Sequence, residues 1–311
     1  MVKKMKKKIL IIGSSGFLGK NTLNSFIKKK EYDVYALTRK KLNYPKNIKQ
    51  INVDLHNYKK LFNKINKIKF NIVINLSLYV EHEIEFEKGF KILLHNLKCT
   101  QNVIKALNKD NIEKYVHIGS ADEYLISSKP IKETQRLDPK NYYSLSKIFI
   151  FNYLMLLHKL NKFPVVFLRL FLIYGEGQDE NRLIPYVIKN SLINKRIFLS
   201  NKKTIRDFLY ISDFIDAISL IIKSKKGNGQ VFNICYGKSY SIENIIKKLS
   251  KNIKNIKLVY GKRVRKYKES EKIYASNDKV KKYFNWKPKI TLEHGLKLTV
   301  NSFKQNARSK S

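Results

Sequence analysis

An alternation of short apolar runs with longer amphipathic stretches over the first 170 residues restricts this chain more than any other feature. KILII (8–12), DVYAL (33–37), IKQINV (48–53), NIVINL (71–76), KYVHIG (114–119) and PVVFLRL (164–170) have the length and β-branched content of strands. Helical patterns fill 17–30, 57–67, 86–108 and 141–161. Strands separated by helices cannot close as hairpins, so they pair in parallel and carry helices on both faces. The expected fold class is therefore α/β, a doubly wound parallel sheet that binds ligands at the carboxyl ends of its strands.

Beyond residue 170 the pattern turns irregular. A helix is expected near 182–194, a strand at IRDFLY (205–210), a helix at 212–223 and a strand at VFNIC (231–235). Further helices are expected to begin at Ser241, near Ser276 and near Thr291. This gives a sheet domain over 1–170 with returns near 205–235, a smaller C-terminal lobe from 171–204 and 236–304, and a loose tail at 305–311.

The glycines of ILIIGSSGFLGKN stand where the first strand meets the first helix. Gly13 permits the tight turn, Gly16 lets backbone approach a pyrophosphate, and Gly19 allows close helix packing, while the helix N-terminus attracts the anion. The second strand ends in YALTRKK, with Thr38 and Arg39 where a carboxylate would accept from an adenosine 2′-hydroxyl. A cation there favours NADP(H) over NAD(H). Asp54, after the third strand, is read either as a contact toward adenine or as a helix N-cap.

Tyr143 and Lys147 are four residues apart on an expected helix, hence on one face. An ammonium beside a phenol favours the phenolate, which suits the pair to moving a proton near neutral pH.

Taken together, these stretches resemble the extended short-chain dehydrogenase/reductase family, the NAD(P)-dependent sugar-nucleotide epimerases, dehydratases and reductases. The resemblance rests on GSSGFLG, DL (54–55), NLS (75–77), HNLKCTQNVIKAL, SADEY, YYSLSK, LRLFLIYGEGQ, RDFLYISDFIDAI and NWKPKITLEHGL, in family order. It implies a Rossmann domain and a substrate-binding C-terminal lobe. It also implies catalytic roles for Ser120, Tyr143 and Lys147, with Lys147 also holding the nicotinamide ribose. Cofactor contacts are implied for Gly13, Gly16, Phe17, Leu18, Gly19, Arg39, Asp54, Leu55, Leu76, Asn96, Tyr143 and Lys147. Arg206 matches an arginine that grips a sugar-nucleotide diphosphate, against the plainer reading of an exposed strand-edge residue. Asn181 and Arg182 are weaker substrate candidates. Leu172 departs from the family, many of whose members carry Asn there.

Asp122 and Glu123 are implied substrate contacts or structural carboxylates. Dehydratases of the thymidine-diphosphoglucose type carry Asp then Glu directly after the catalytic Ser/Thr, whereas Ala121 and Asp122 follow Ser120 here. The string instead resembles reductases of nucleotide-linked 4-keto-6-deoxyhexoses. The expected activity is thus NADP(H)-dependent reduction of such a sugar, in surface-polysaccharide biosynthesis. A 4-epimerase or a 4,6-dehydratase is the alternative. Glu81, Glu83, Glu85 and Glu87 are read as complementing the N-terminus of the helix that follows.

A net charge of +40 raises a non-enzymatic alternative, an RNA-binding Rossmann protein. Of the 64 cationic residues, however, nine are arginine and 55 are lysines spread through nearly every segment, so no nucleic-acid partner is expected. The basic start MVKKMKKKILIIG has an apolar run ending at Ile12, and is read as a lead-in to a strand rather than a signal peptide. No apolar stretch approaches the roughly 20 residues of a membrane span. Cys99 and Cys235 show no pairing signature, which suits a reducing cytoplasm. The six histidines form no HxxxH pair, so no metal site is expected. A homodimer through the helices near 86–108 and 141–161 is implied by the resemblance.

Overall fold

Burial on both faces explains why the first strands are almost purely apolar. In the computed structural model, which describes residues 5–77, 80–261 and 272–308, Ile9, Leu10, Ile11 and Ile12 of β1 (Lys7–Ile12) are all completely buried. The chain alternates through α1 (Phe17–Phe26), β2 (Tyr32–Thr38), β3 (Lys49–Asn52), α2 (Tyr58–Ile65), β4 (Ile72–Asn75), α3 (Phe86–Ala106), β5 (Lys114–Ser120), α4 (Tyr142–Asn161) and β6 (Val165–Leu170). A single 3₁₀ turn, Ala121–Glu123, follows β5.

It continues through β7 (Leu172–Tyr174), α5 (Leu183–Leu192), β8 (Ile197–Leu199), β9 (Ile205–Arg206), β10 (Phe208–Tyr210), α6 (Ile211–Lys223) and β11 (Gln230–Ile234). The last elements are β12 (Tyr240–Ser241), α7 (Ile242–Leu249), β13 (Leu258–Tyr260), β14 (Lys272–Ile273), α8 (Asp278–Phe284) and α9 (Leu292–Arg308).

The chain divides into two compact units: residues 1–125, 136–169 and 218–232, and residues 126–135, 170–217 and 233–311. In the first, a seven-stranded sheet runs in the order β11-β6-β5-β4-β1-β2-β3. β1 pairs in parallel with both β2 and β4, and β2–β3 and β4–β5 are also parallel. This is the expected doubly wound α/β sheet. Its order reverses at β1, so the crevice between the ends of β1 and β4 is the topological switch point, where ligands of such sheets bind.

The core joins Leu10 and Ile12 of β1 to Val73, Tyr115, Val165 and Phe167 on neighbouring strands, closed by Leu61 and Ile65 of α2, Val103 of α3 and Ile150 and Leu154 of α4. α3 and α4 approach closely because Gly89 has no side chain; a Cβ there would collide with the Tyr142 ring.

The second unit corrects one expectation. IRDFLY is not one strand: Ile205–Arg206 joins the sheet β12-β9-β14, whereas Phe208–Tyr210 pairs with β7. The break is Asp207, whose buried carboxylate accepts from the Tyr236 and Gly237 N–H groups at 2.7 and 2.9 Å. Burial pushes that carboxyl up to about 7 against those bonds. α9 continues through Arg308, past residue 305 where a loose tail is expected, and residues 309–311 lie outside the described residues. Among the described residues, no helix is long and apolar enough to cross a membrane.

Candidate functional site

The turn from β1 to α1 shows what each glycine does. Gly13 has φ +77°, and a Cβ on it would lie 2.8 Å from the Ser77 nitrogen, two residues past β4. A Cβ on Gly19 would strike the Gly13 carbonyl and come within 2.6 Å of Ser14 Cα, so the helix can sit against the turn only without a side chain. Gly16 differs: it is exposed, and the nearest atom to a Cβ there is 3.6 Å away. As the N-cap of α1 it offers no side-chain oxygen, and α1 has no acidic residue in its first turn. A bare helix N-terminus at an exposed Gly16 fits a dinucleotide phosphate. Phe17 and Leu18 are half-buried just beyond it, and Leu76 is held at the switch point by its N–H bond to the Ile12 carbonyl, 3.0 Å.

Arg39 is exposed immediately after β2. Asp54 is exposed after β3, and its carboxylate accepts from the His56 N–H at 2.9 Å. It is not a helix cap; Asn57 caps α2, accepting from the Lys60 N–H at 3.0 Å. Leu55 is half-buried, and its carbonyl accepts from Asn102 Nδ2 at 2.8 Å. Asn96 is fully buried on α3 and donates to Ser146 Oγ on α4 at 3.0 Å.

α4 begins with a reciprocal cap in which Asn141 Oδ1 accepts from the Ser144 N–H at 2.9 Å. That start directs Tyr143, Lys147, Ile150 and Leu154 along one buried face. Lys147 Nζ lies 5.4 Å from the centre of the Tyr143 ring and donates to the Ile118 carbonyl of β5 at 2.8 Å. Burial pushes the Lys147 ammonium down from its ordinary 10.5 to about 7, although Glu123 and Asp122 pull the other way. The expected ammonium beside Tyr143 is therefore one whose proton is loosened by burial.

Ser120 ends β5. Its Oγ accepts from the Asp122 N–H at 3.2 Å, and a hydroxyl that accepts there keeps its own proton to donate. The two carboxylates beside it have separate fates. Asp122 is half-buried, with Oδ2 3.0 Å from His82 Nε2. The His82 ring in turn meets the Tyr143 ring edge-on, centroids 5.2 Å apart. Glu123 points inward and is completely buried. One oxygen accepts from the Ser120 N–H at 2.7 Å and the other from Arg169 Nε at 2.7 Å. Arg169 is itself 1% exposed and packs over the rings of Phe151 and Tyr124 at 4.5 and 4.6 Å. Gly119 makes room, since a Cβ there would strike both Glu123 and Phe167. Desolvation raises the Glu123 carboxyl even with Arg169 beside it.

Ser120, Asp122, Tyr143 and Lys147 thus come together in the first unit. His82 and Arg169 are partners that sequence patterns do not reveal; each is a lone residue on a distant segment. His117, between the stacked rings of Tyr115 and Phe167, is fully buried and held well below its ordinary value by desolvation and then by Lys147. Glu85 and Glu87 stand at the N-cap and first turn of α3, whereas Glu83 is buried and accepts from the Ile84 N–H at 2.9 Å.

Arg206 and Asn181 belong to the second unit. Arg206 is 5% exposed on the central strand of its sheet, with Nη1 donating to the Ile205 carbonyl at 2.8 Å, so the reading of an exposed edge arginine fails. Asn181 is exposed one residue before Arg182, the N-cap of α5. Leu172 is exposed at the start of β7.

Known proteins share this chain's sequence pattern and fold. The chain is 28% identical over 278 residues to dTDP-D-glucose 4,6-dehydratase of Dictyostelium discoideum, covering 81% of this chain and 62% of that protein. It is 28% identical over 250 residues to GDP-6-deoxy-D-talose 4-dehydrogenase of Aggregatibacter actinomycetemcomitans, covering 78% of this chain and 79% of that protein. The solved structure of UDP-glucuronic acid 4-epimerase from Bacillus cereus, in complex with UDP-glucuronic acid and NAD, shares the fold. Its TM-score is 0.83 at 24% identity, over 96% of this chain and 99% of that one. The model of the NAD dependent epimerase/dehydratase family matches residues 9–235, most of the chain, and the protein belongs to that family.

Proposed function

We propose that the protein is a nicotinamide-dependent sugar-nucleotide enzyme that reduces the 4-keto group of a nucleotide-diphospho-4-keto-6-deoxyhexose, with NADPH as its cofactor. The observation that carries this choice is the burial of Glu123. Dehydration across carbons 5 and 6 needs an acid and a base in addition to the tyrosine. Glu123 is engaged on both oxygens and fully enclosed, which leaves Asp122 as the single carboxylate of this pair open to a substrate. Proton transfer at a sugar oxygen, by contrast, needs only Tyr143, Lys147 and Ser120.

Bound nicotinamide supplies the hydride. Tyr143 gives its phenolic proton to the ketone oxygen as that oxygen becomes an alcohol. Ser120 donates a hydrogen bond to the same oxygen and stabilises its developing charge. Lys147, anchored on Ile118, holds the ribose and favours the phenolate when it is protonated. Asp122, fixed by His82, accepts from a substrate hydroxyl. Arg206 takes the substrate diphosphate, for which a planar fork of donors is suited, and Asn181 is a further substrate contact.

NADPH is preferred on two grounds: Arg39 is exposed where a 2′-phosphate would meet a cation, and YALTRKK offers no carboxylate to repel it. Exposed Phe86, Phe90, Leu94, Phe149, Leu156 and Leu160 on α3 and α4 support a homodimer through those helices. A cytoplasmic role in making sugars for surface polysaccharide fits this activity.

A 4-epimerase that uses NAD is the second reading, because the same three residues serve oxidation and reduction alike, and the Bacillus cereus structure is of an epimerase holding NAD. Incubation with NADPH and a panel of 4-keto-6-deoxy sugar nucleotides separates the two. The reductase consumes NADPH in proportion to product. Interconversion of 4-epimers without net cofactor turnover would overturn it in favour of the epimerase.

A further inference from the structure

Outside the catalytic group, three side chains of soft-ligand chemistry converge on the first unit. His56 lies in the loop after β3, and His95 and Cys99 lie one turn apart on α3. A ligand atom from each falls within 4.8 Å of the other two. The two imidazoles face each other with centroids 4.2 Å apart. Cys99 Sγ is 3.7 Å from His95 Nε2. Two ligands of one tetrahedral zinc, at about 2.05 Å for nitrogen and 2.3 Å for sulfur, stand roughly 3.6 Å apart. The sulfur and nitrogen are thus already at the separation that a shared metal requires.

The surroundings hold this geometry. Asn102, one turn further along α3 and 1% exposed, donates through Nδ2 to the carbonyls of Leu55 and His56 at 2.8 and 3.1 Å, fixing the loop that carries His56 against the helix. Asp54 accepts from the His56 N–H and is near enough for its charge to act on both the His95 ring and the Cys99 sulfur. His56 and His95 line a cavity of about 690 Å³ together with Phe149 and Tyr153. Histidine spacing alone hides the site: His95 and Cys99 stand four residues apart, as the ends of an HxxxH pair would, and His56 comes from another segment.

We propose that His56, His95 and Cys99 bind one thiophilic transition-metal ion of the zinc(II) class, through two imidazole nitrogens and a thiolate. Water completes the tetrahedron. Binding exchanges the Cys99 S–H proton for the metal, releasing that proton to solvent while both histidines enter neutral, with no change of oxidation state. Cobalt(II), which takes the same ligands and reports on them by absorption, is the probe.

The protein, reduced and freed of metal with a chelator, is titrated with cobalt(II). One equivalent per chain is expected, with tetrahedral d–d absorption and a thiolate-to-cobalt charge-transfer band that zinc(II) abolishes. Cys99→Ser is expected to lose the charge-transfer band. His56→Ala, at an exposed position, is expected to weaken binding by more than the roughly tenfold that loss of an outer-shell partner costs. Zinc is expected to raise the melting temperature of the wild type and not of His56→Ala. No stoichiometric binding, binding without a charge-transfer band, or equal affinity in wild type and His56→Ala would each overturn the proposal.

Discussion

Glu123 Oε2 lies 2.7 Å from Arg169 Nε, and both side chains are at most 1% exposed. This pair buries one of the two carboxylates beside Ser120, and its other oxygen accepts from the Ser120 N–H at the end of β5. Removing one member of such a pair strands the other's charge in the core, so Arg169→Leu should lower unfolding free energy by about 3–5 kcal/mol in urea titrations. Glu123→Gln should also weaken the fold while leaving measurable turnover. A variant with full stability and no turnover would mean that Glu123 is a proton carrier after all.

Lys147 sets a pH dependence with a definite sign. Its ammonium is depressed from 10.5 to about 7 by burial, whereas the unfolded chain keeps that proton to about 10.5. Between those values the unfolded state binds more protons, so stability rises with pH, and the burial penalty acts in full below about 7. Relative to Lys147→Met, the wild type should therefore gain unfolding free energy as pH rises from about 7 toward about 10. A difference between the two proteins that stays flat over that range contradicts a buried, titrating lysine.

Tyr143→Phe removes one oxygen and the only proton that the mechanism assigns to the ketone. Turnover should fall by roughly 10²–10⁴. Binding of the nucleotide sugar, measured by calorimetry, should change little. Equal rates for variant and wild type would exclude Tyr143 as the acid.

Gly16 and Gly19 should separate folding from cofactor binding. Gly16→Ala has room for its methyl group within the protein, so its melting temperature should hold while NADPH affinity drops. Gly19→Ala forces the methyl onto the Gly13 carbonyl, so both stability and NADPH binding should suffer. Melting curves and fluorescence titrations on the two variants decide the matter. Unchanged NADPH affinity in Gly16→Ala would remove the phosphate from this turn.

Arg39→Asp should invert cofactor choice by placing a carboxylate where a 2′-phosphate would sit. The ratio of kcat/KM for NADPH to that for NADH should fall at least about tenfold, equivalent to about 1.4 kcal/mol. An unaltered ratio means that Arg39 does not read the ribose.

The amino-acid sequence alone determined the sheet and the axis of the site. Runs such as KILII are apolar throughout because both faces of β1 are covered, and that signal is local. The glycine turn and the Tyr143–Lys147 pair are local too, since spacing along one helix or one loop sets their geometry.

Only the tertiary structure decided what long-range contacts control. The partner that encloses Glu123 lies 46 residues away, the split at Asp207 depends on Tyr236 and Gly237, and His56 meets Cys99 through a loop folded onto α3. The depression of the Lys147 ammonium likewise follows from how completely neighbouring elements exclude water. Periodicity along a chain carries no information about which distant side chain arrives to pair with a buried charge, and that pairing is what encloses Glu123 and leaves Asp122 half-buried.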